Sequence, residues 1–219
     1  MDIKVKSSYF DMLVKLNLLK KYNFYQYDNN YFNIKIYEEN ELIKLLKTLI
    51  YNNILFISDQ FIEKCVEELI KNKVECSTAE SITGGLIGHK FVRIPGVSTI
   101  YKGTIVAYQD NIKIKKLNIS KKILEKFSAV SYEVSKKMCQ NVSNIFNSKL
   151  SISTTGYAGP EGKDIGLVYY SIKYNNKIYT FKKHLKGTRI EIIEGLVNYI
   201  FFSVYLLIIK DDKILPFEI

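Results

Sequence analysis

The chain has 219 residues, 47% hydrophobic and 25% charged, which is the balance of a folded globular protein rather than a disordered one. With only three prolines and eleven glycines it is neither collagenous nor low-complexity. A net charge of +10 permits an anionic partner. The lysines are spread, however, with no arginine-rich cluster and no groove-reading motif, so the sequence points away from dedicated nucleic-acid binding.

In chain order, residues 1–55 stand apart. They lack glycine and proline and are rich in Tyr, Asn and Lys. Residues 9–21 carry Phe10, Leu13, Val14 and Leu18 at helical spacing, with Asn17 interrupting the stripe. Residues 31–37 alternate as a strand does, and residues 39–52 again look helical. These residues form a small N-terminal extension of unread role, ahead of one main domain over 56–219.

Asp59 is placed to cap a helix over 60–71 whose buried face is Phe61, Cys65, Val66, Leu69 and Ile70. Residues 74–78 read as a strand, 84–92 as a helix and 98–108 as a strand with a buried run at Ile105, Val106 and Ala107. Helices are expected over 111–117, 120–127 and 131–145, and a strand over 150–154. Residues 166–173 and 177–184 form a hairpin around Asn175-Asn176. Residues 188–209 close the chain as a helix. Its apolar run, 199–209, is shorter than the ~20 residues of a membrane span, so a buried core helix is expected rather than an anchor. Alternating strands and helices give an α/β fold, a three-layer α/β/α sandwich.

Cys65, Cys76 and Cys139 are odd in number, widely spaced and outside any CxxC pair. Neither a zinc site nor a disulfide framework is indicated, and a reducing, cytoplasmic setting is expected. No charged segment followed by an apolar run is present at the start, so no signal peptide is expected.

In open α/β sheets ligands gather beyond the carboxyl ends of the strands. Three such loops stand out. The first, Thr78-Ala79-Glu80-Ser81-Ile82-Thr83-Gly84-Gly85, admits two readings: Thr83 caps a helix that the glycines let pack closely, or Ser81 is a nucleophile. The second supplies Tyr108 and Lys113, and the third runs from Thr154 to Pro160. A serine needs a base to remove its proton. His89 and His184, the only histidines, lack an evident Asp partner and read as packing or surface residues. Lysine can serve instead when desolvation or nearby cations lower its pKa. Glu80 either orients Ser81 or Lys113 or pairs with a surface lysine.

The residues also carry a resemblance. Thr78–Gly85 resembles the TAESCTGG signature of the CinA C-terminal domain family, which includes PncC-type nicotinamide-nucleotide amidohydrolases. Ile94-Pro95-Gly96-Val97-Ser98, residues 103–108, Ala129-Val130-Ser131, residues 155–160, residues 166–169 and Gly187-Thr188-Arg189 are similar to further family motifs in the same order. The likeness covers about 58–209. It implies a mixed-sheet sandwich and a homo-oligomeric deamidase of nicotinamide mononucleotide that needs no metal or cofactor. The matching catalytic positions are Ser81, Tyr108 and Lys113. Substrate-binding roles fall to Glu80, Thr83, Gly84, Gly85, Thr155, Gly156 and Arg189, with amides near residues 83–85 or 155–156 holding an oxyanion and a glycine-rich turn receiving the 5′-phosphate. The chain departs from the family at Ile82, where a Cys is usual, at Gln109-Asp110-Asn111, and in a short loop over 161–165. Two alternatives stay open, a deamidase of another nucleotide-linked amide and a non-catalytic binding or assembly module.

Overall fold

A computed structural model describes residues 1–28, 30–161 and 163–209. The N-terminal unit is built from β1 (Asp2–Lys6), α1 (Phe10–Lys15), α2 (Leu18–Lys21), β2 (Phe24–Gln26), β3 (Tyr31–Lys35), α3 (Glu39–Tyr51) and β4 (Phe56–Ile57). The helix expected over 9–21 is split because Asn17 adopts a left-handed conformation, φ 59°, which no continuous α-helix accommodates. The strands form an antiparallel sheet in the order β2-β3-β1-β4. β2, at three residues, is too short to be read by pattern, whereas β1 was not anticipated although its five residues alternate. The sheet takes in Phe56 and Ile57, just past residue 55.

The main unit has a five-stranded mixed sheet, ordered β6-β5-β7-β8-β9. Its strands are β5 (Cys76–Glu80), β6 (Tyr101–Val106), β7 (Leu150–Gly156), β8 (Leu167–Tyr174) and β9 (Lys177–His184). β5 runs parallel to β6 and β7, and the remaining pairs are antiparallel. The β8–β9 hairpin turns on Asn175 (φ 48°) and Asn176 (φ 70°), the two positive φ values a tight hairpin needs.

Helices cover both faces, so the expected three-layer sandwich is the observed fold. One layer holds α4 (Asp59–Lys71), α5 (Leu86–Val92) and α9 (Arg189–Ile209); the other holds α6 (Asp110–Leu117), α7 (Lys121–Phe127) and α8 (Tyr132–Phe146). Ser58, not Asp59, caps α4, because its hydroxyl accepts from the Phe61 amide while Asp59 is already helical. β6 lies at the sheet edge, so the run expected to be buried at 105–107 is only partly so, and Val106 is 42% exposed.

α9 is apolar on all sides, as a helix at the centre of a protein is. It passes the length and composition test for a membrane span, yet 78% of its apolar window is buried in the protein. Phe201 packs on Phe91, and Phe202 and Tyr205 pack on Phe61. The Tyr199 hydroxyl donates to the Ile54 carbonyl, tying α9 to the end of the N-terminal unit.

Under α8 the sheet presents hydroxyls instead of methyls. Ser153 donates to the Ser135 carbonyl at 2.7 Å and Ser151 to the Cys139 carbonyl at 2.9 Å. The Ser135 and Ser171 hydroxyls meet at 2.8 Å, and Ser171 meets Thr180 at 2.9 Å. All these groups are buried, and each has a partner, as burial requires.

Candidate active site

β5 is paired on both sides through Glu80, so Thr78, Ala79 and Glu80 belong to this interior strand and not to the turn expected there. The turn begins at Ser81. Its amide donates to the Thr154 carbonyl at 3.0 Å, which fixes where the chain leaves the sheet.

Glu80 is fully buried directly below that turn. Its Oε2 accepts from the Thr83 hydroxyl at 2.7 Å and from the Gly85 and Ile87 amides at 2.9 and 3.1 Å. Its Oε1 accepts from the Gly88 amide at 2.8 Å and from the Thr78 and Thr104 hydroxyls at 3.1 and 3.3 Å. The carboxylate thus caps α5 from within the chain, where the helix dipole favours a negative charge. Nearby, burial and, less, the charge of Glu80 leave the Tyr101 phenol pushed up to about 12, against its hydrogen bond with Thr78, which acts to lower it.

These contacts correct four sequence-based assignments. Glu80 and Thr83 build the turn rather than meet a ligand. Thr83 is not the helix cap, since its hydroxyl is bonded to Glu80 and Thr154 and the N-cap position is Gly85, at φ 104°. Gly84 and Gly85 lie outside the cavity lining, and their amides are spent on the Ser81 carbonyl and on Glu80. The start of α5 does not offer a phosphate site, because Glu80 already occupies it.

Ser81, Tyr108, Lys113, Thr155, Gly156 and Arg189 do come together. They line one cavity of about 190 Å³, with Asp110, Tyr157 and Glu161 among the other walls. Lys113 stands in the first turn of α6 and is 1% exposed. Its Nζ donates to the Tyr108 carbonyl at 3.1 Å and to Asp110 Oδ1 at 3.2 Å. The Tyr108 main chain, not its phenol, therefore holds Lys113. The phenol oxygen accepts from Arg189 Nη2 at 3.2 Å, and Arg189 Nη1 donates to the Gly159 carbonyl at 2.6 Å. Arg189 is a brace across the cavity mouth.

Thr155 donates to the Ala129 carbonyl at 2.8 Å and so fixes the loop before α8 as a wall. Gly156 is required by space: a Cβ there would lie 2.8 Å from the Leu167 carbonyl oxygen and 2.9 Å from Ile82 Cδ1. Asp110 is the functional candidate that sequence reasoning passed over. An acid three residues before a lysine, at a helix start, was the available signal. Of the short loop over 161–165, Glu161 lines the cavity, whereas Gly162 lies outside the described residues.

The model of the CinA C-terminal domain matches residues 58–207. The chain belongs to the CinA C-terminal domain family. It is 36% identical over 187 residues to a CinA-like protein of Fusobacterium nucleatum, covering 80% of this chain and 45% of that protein. A CinA-like protein of Fervidobacterium nodosum is 45% identical over 127 residues, covering 56% of this chain and 31% of that one. The chain therefore spans less than half the length of these curated relatives. Among solved structures, a competence-damaged protein (CinA) superfamily protein from Escherichia coli aligns at TM-score 0.63 with 28% identity, covering 68% of this chain and 88% of that one. The competence damage-inducible protein A of Klebsiella pneumoniae, at TM-score 0.66 and 22% identity over 68% and 95% of the two chains, shares the fold.

Proposed function

We propose that this CinA-family chain is an amidohydrolase that converts nicotinamide mononucleotide to nicotinate mononucleotide and ammonia. The observation that carries the reading is the meeting of Ser81 with the buried amine of Lys113 in one cavity. Nζ donates to Tyr108 O and to Asp110 Oδ1, and these two acceptors hold the buried amine on the wall of the cavity that Ser81 also lines.

In this mechanism Lys113 takes the proton as Ser81 Oγ bonds to the carboxamide carbon. The C–N bond then breaks, and ammonia leaves with the proton that Lys113 carried. Water adds to the resulting ester, gives a proton to Lys113, and the acyl–oxygen bond breaks as Ser81 regains it. The Tyr108 phenol, held by Arg189, is the proton relay at the leaving group. The Gly84 and Gly85 amides are spent, so the amide of Ile82, next to the nucleophile and on the cavity wall, is assigned to the oxyanion. A cavity below the ~300 Å³ of drug-sized sites takes the amide-bearing ring, with the ribose phosphate outside it.

Ammonia release from nicotinamide mononucleotide by the purified chain tests the proposal. Release is expected, with loss in Ser81→Ala and Lys113→Ala. A folded chain that releases none would overturn the substrate assignment.

A further inference from the structure

The N-terminal unit has the order strand, helices, strand, strand, helix, strand, and its antiparallel sheet runs β2-β3-β1-β4. That is the split βαβ plan, in which helices cover one face of the sheet and the other is left open. Register separates the faces. Ile3, Val5, Ile34 and Phe56 point into the core with α3. Tyr25, Asn33 and Lys4 are cross-strand partners on the opposite face, which Tyr31, Lys35 and Lys6 extend.

This face combines rings with cations. Tyr25 and Tyr27 are 45% and 53% exposed. Lys4 Nζ lies 3.8 Å from the centre of the Tyr27 ring, and Lys35 Nζ lies 5.8 Å from that of Tyr37. Beneath them Asn33 is 4% exposed. Its Nδ2 donates to the Tyr25 hydroxyl at 2.9 Å, and its buried Oδ1 has no partner among the described residues. At the other end Lys6 is paired with Glu191, so the open part is the Tyr25, Tyr27, Lys4 and Lys35 side.

We propose that this face binds single-stranded nucleic acid. Bases would stack on Tyr25 and Tyr27, phosphates would meet Lys4 and Lys35, and the Asn33 carbonyl oxygen would accept from a base N–H once a ring swings aside. Lysine spacing along the sequence pointed away from such a partner; strand pairing is what gathers these distant residues onto one surface. The proposal is independent of the amidase reading.

The test is fluorescence anisotropy of labelled oligouridine and oligothymidine of about 12 nucleotides with the full chain, titrated at low and at raised salt. Saturable, salt-weakened binding is expected, about 5-fold or more weaker in Tyr25→Ala and in Tyr27→Ala and retained in Tyr25→Phe. Lys35→Ala should reduce the salt slope by about one. The tighter-bound oligomer identifies RNA or DNA as the partner. Absence of saturable binding, a preference for duplex, or equal binding by folded Tyr25→Ala and Tyr27→Ala variants would overturn the proposal.

Discussion

Arg189, at the start of α9, donates to the phenol oxygen of Tyr108 just beyond β6, and the two are 81 positions apart in the chain. The same guanidinium holds the Gly159 carbonyl. Replacing Arg189 with Ala releases both the phenol and the loop. Under the proposed mechanism kcat/KM should fall by about 10- to 100-fold with the fold retained, as steady-state kinetics alongside circular dichroism would reveal.

Asp110 acts on the reaction through Lys113. Asp110→Ala removes one of the amine's two acceptors while leaving the Tyr108 carbonyl in place. A fall in kcat of about 10-fold or more with little change in KM is expected, and Asp110→Asn, which keeps a carbonyl oxygen, should recover part of it. An unchanged kcat in Asp110→Ala would remove Asp110 from the machinery.

Glu80 is the costliest single change in the turn. Glu80→Gln replaces an acceptor by an amide donor facing the amides of Gly85 and Ile87 or that of Gly88. A loss of about 2–4 kcal/mol in stability is expected from urea titration, because buried donors are left without a partner.

The architecture was legible because helical and strand periods are local and long in the main unit. The Asn175-Asn176 turn was legible for the same reason: its φ values belong to two adjacent residues. Ser81, Tyr108, Lys113 and Arg189 were visible through the family motifs that the sequence resembles, and they converge on one cavity. What stayed hidden depends on partners far along the chain. Glu80 reads as a site residue in a motif, yet six donors claim it internally. Gly84 and Gly85 read as open amides, yet both are committed. β2 and β4, at three and two residues, are too short to show a period, so the pairing of the N-terminal sheet was not legible beyond the strand at 31–37.

Lys6 and Glu191 join β1 to the first turn of α9 at 2.7 Å. Burial acts to raise the Glu191 carboxyl, but hydrogen bonds from Lys6 and from the Thr188 amide outweigh it, so the group lies below its ordinary value of 4.5. A depressed carboxyl stabilises the fold above its unfolded pKa and loses that contribution as pH falls through the folded one. Glu191→Gln should therefore be less stable than the parent at pH ~7, by about 1 kcal/mol or less. The two should converge as pH drops below ~4, read by denaturant midpoints across that range.

Gly156→Ala tests how tightly the cavity floor is built. The added methyl would meet Leu167, Val168 and Ile82 at under 3 Å. A stability loss of about 1–3 kcal/mol is expected by thermal melting.

The hydroxyl seam under α8 makes that helix behave as a part held by detents. Apolar surfaces can slide over one another with little change in contact, but directed bonds of 2.7–2.9 Å cannot. Slipping α8 along the sheet by a single residue would strand Ser135, Ser151 and Ser153 together in a dry interior. The loop that Thr155 pins at Ala129 leads straight into α8, so its position inherits that indexing. One wall of the cavity is thereby set by the teeth of the sheet rather than by the loop's own preferences.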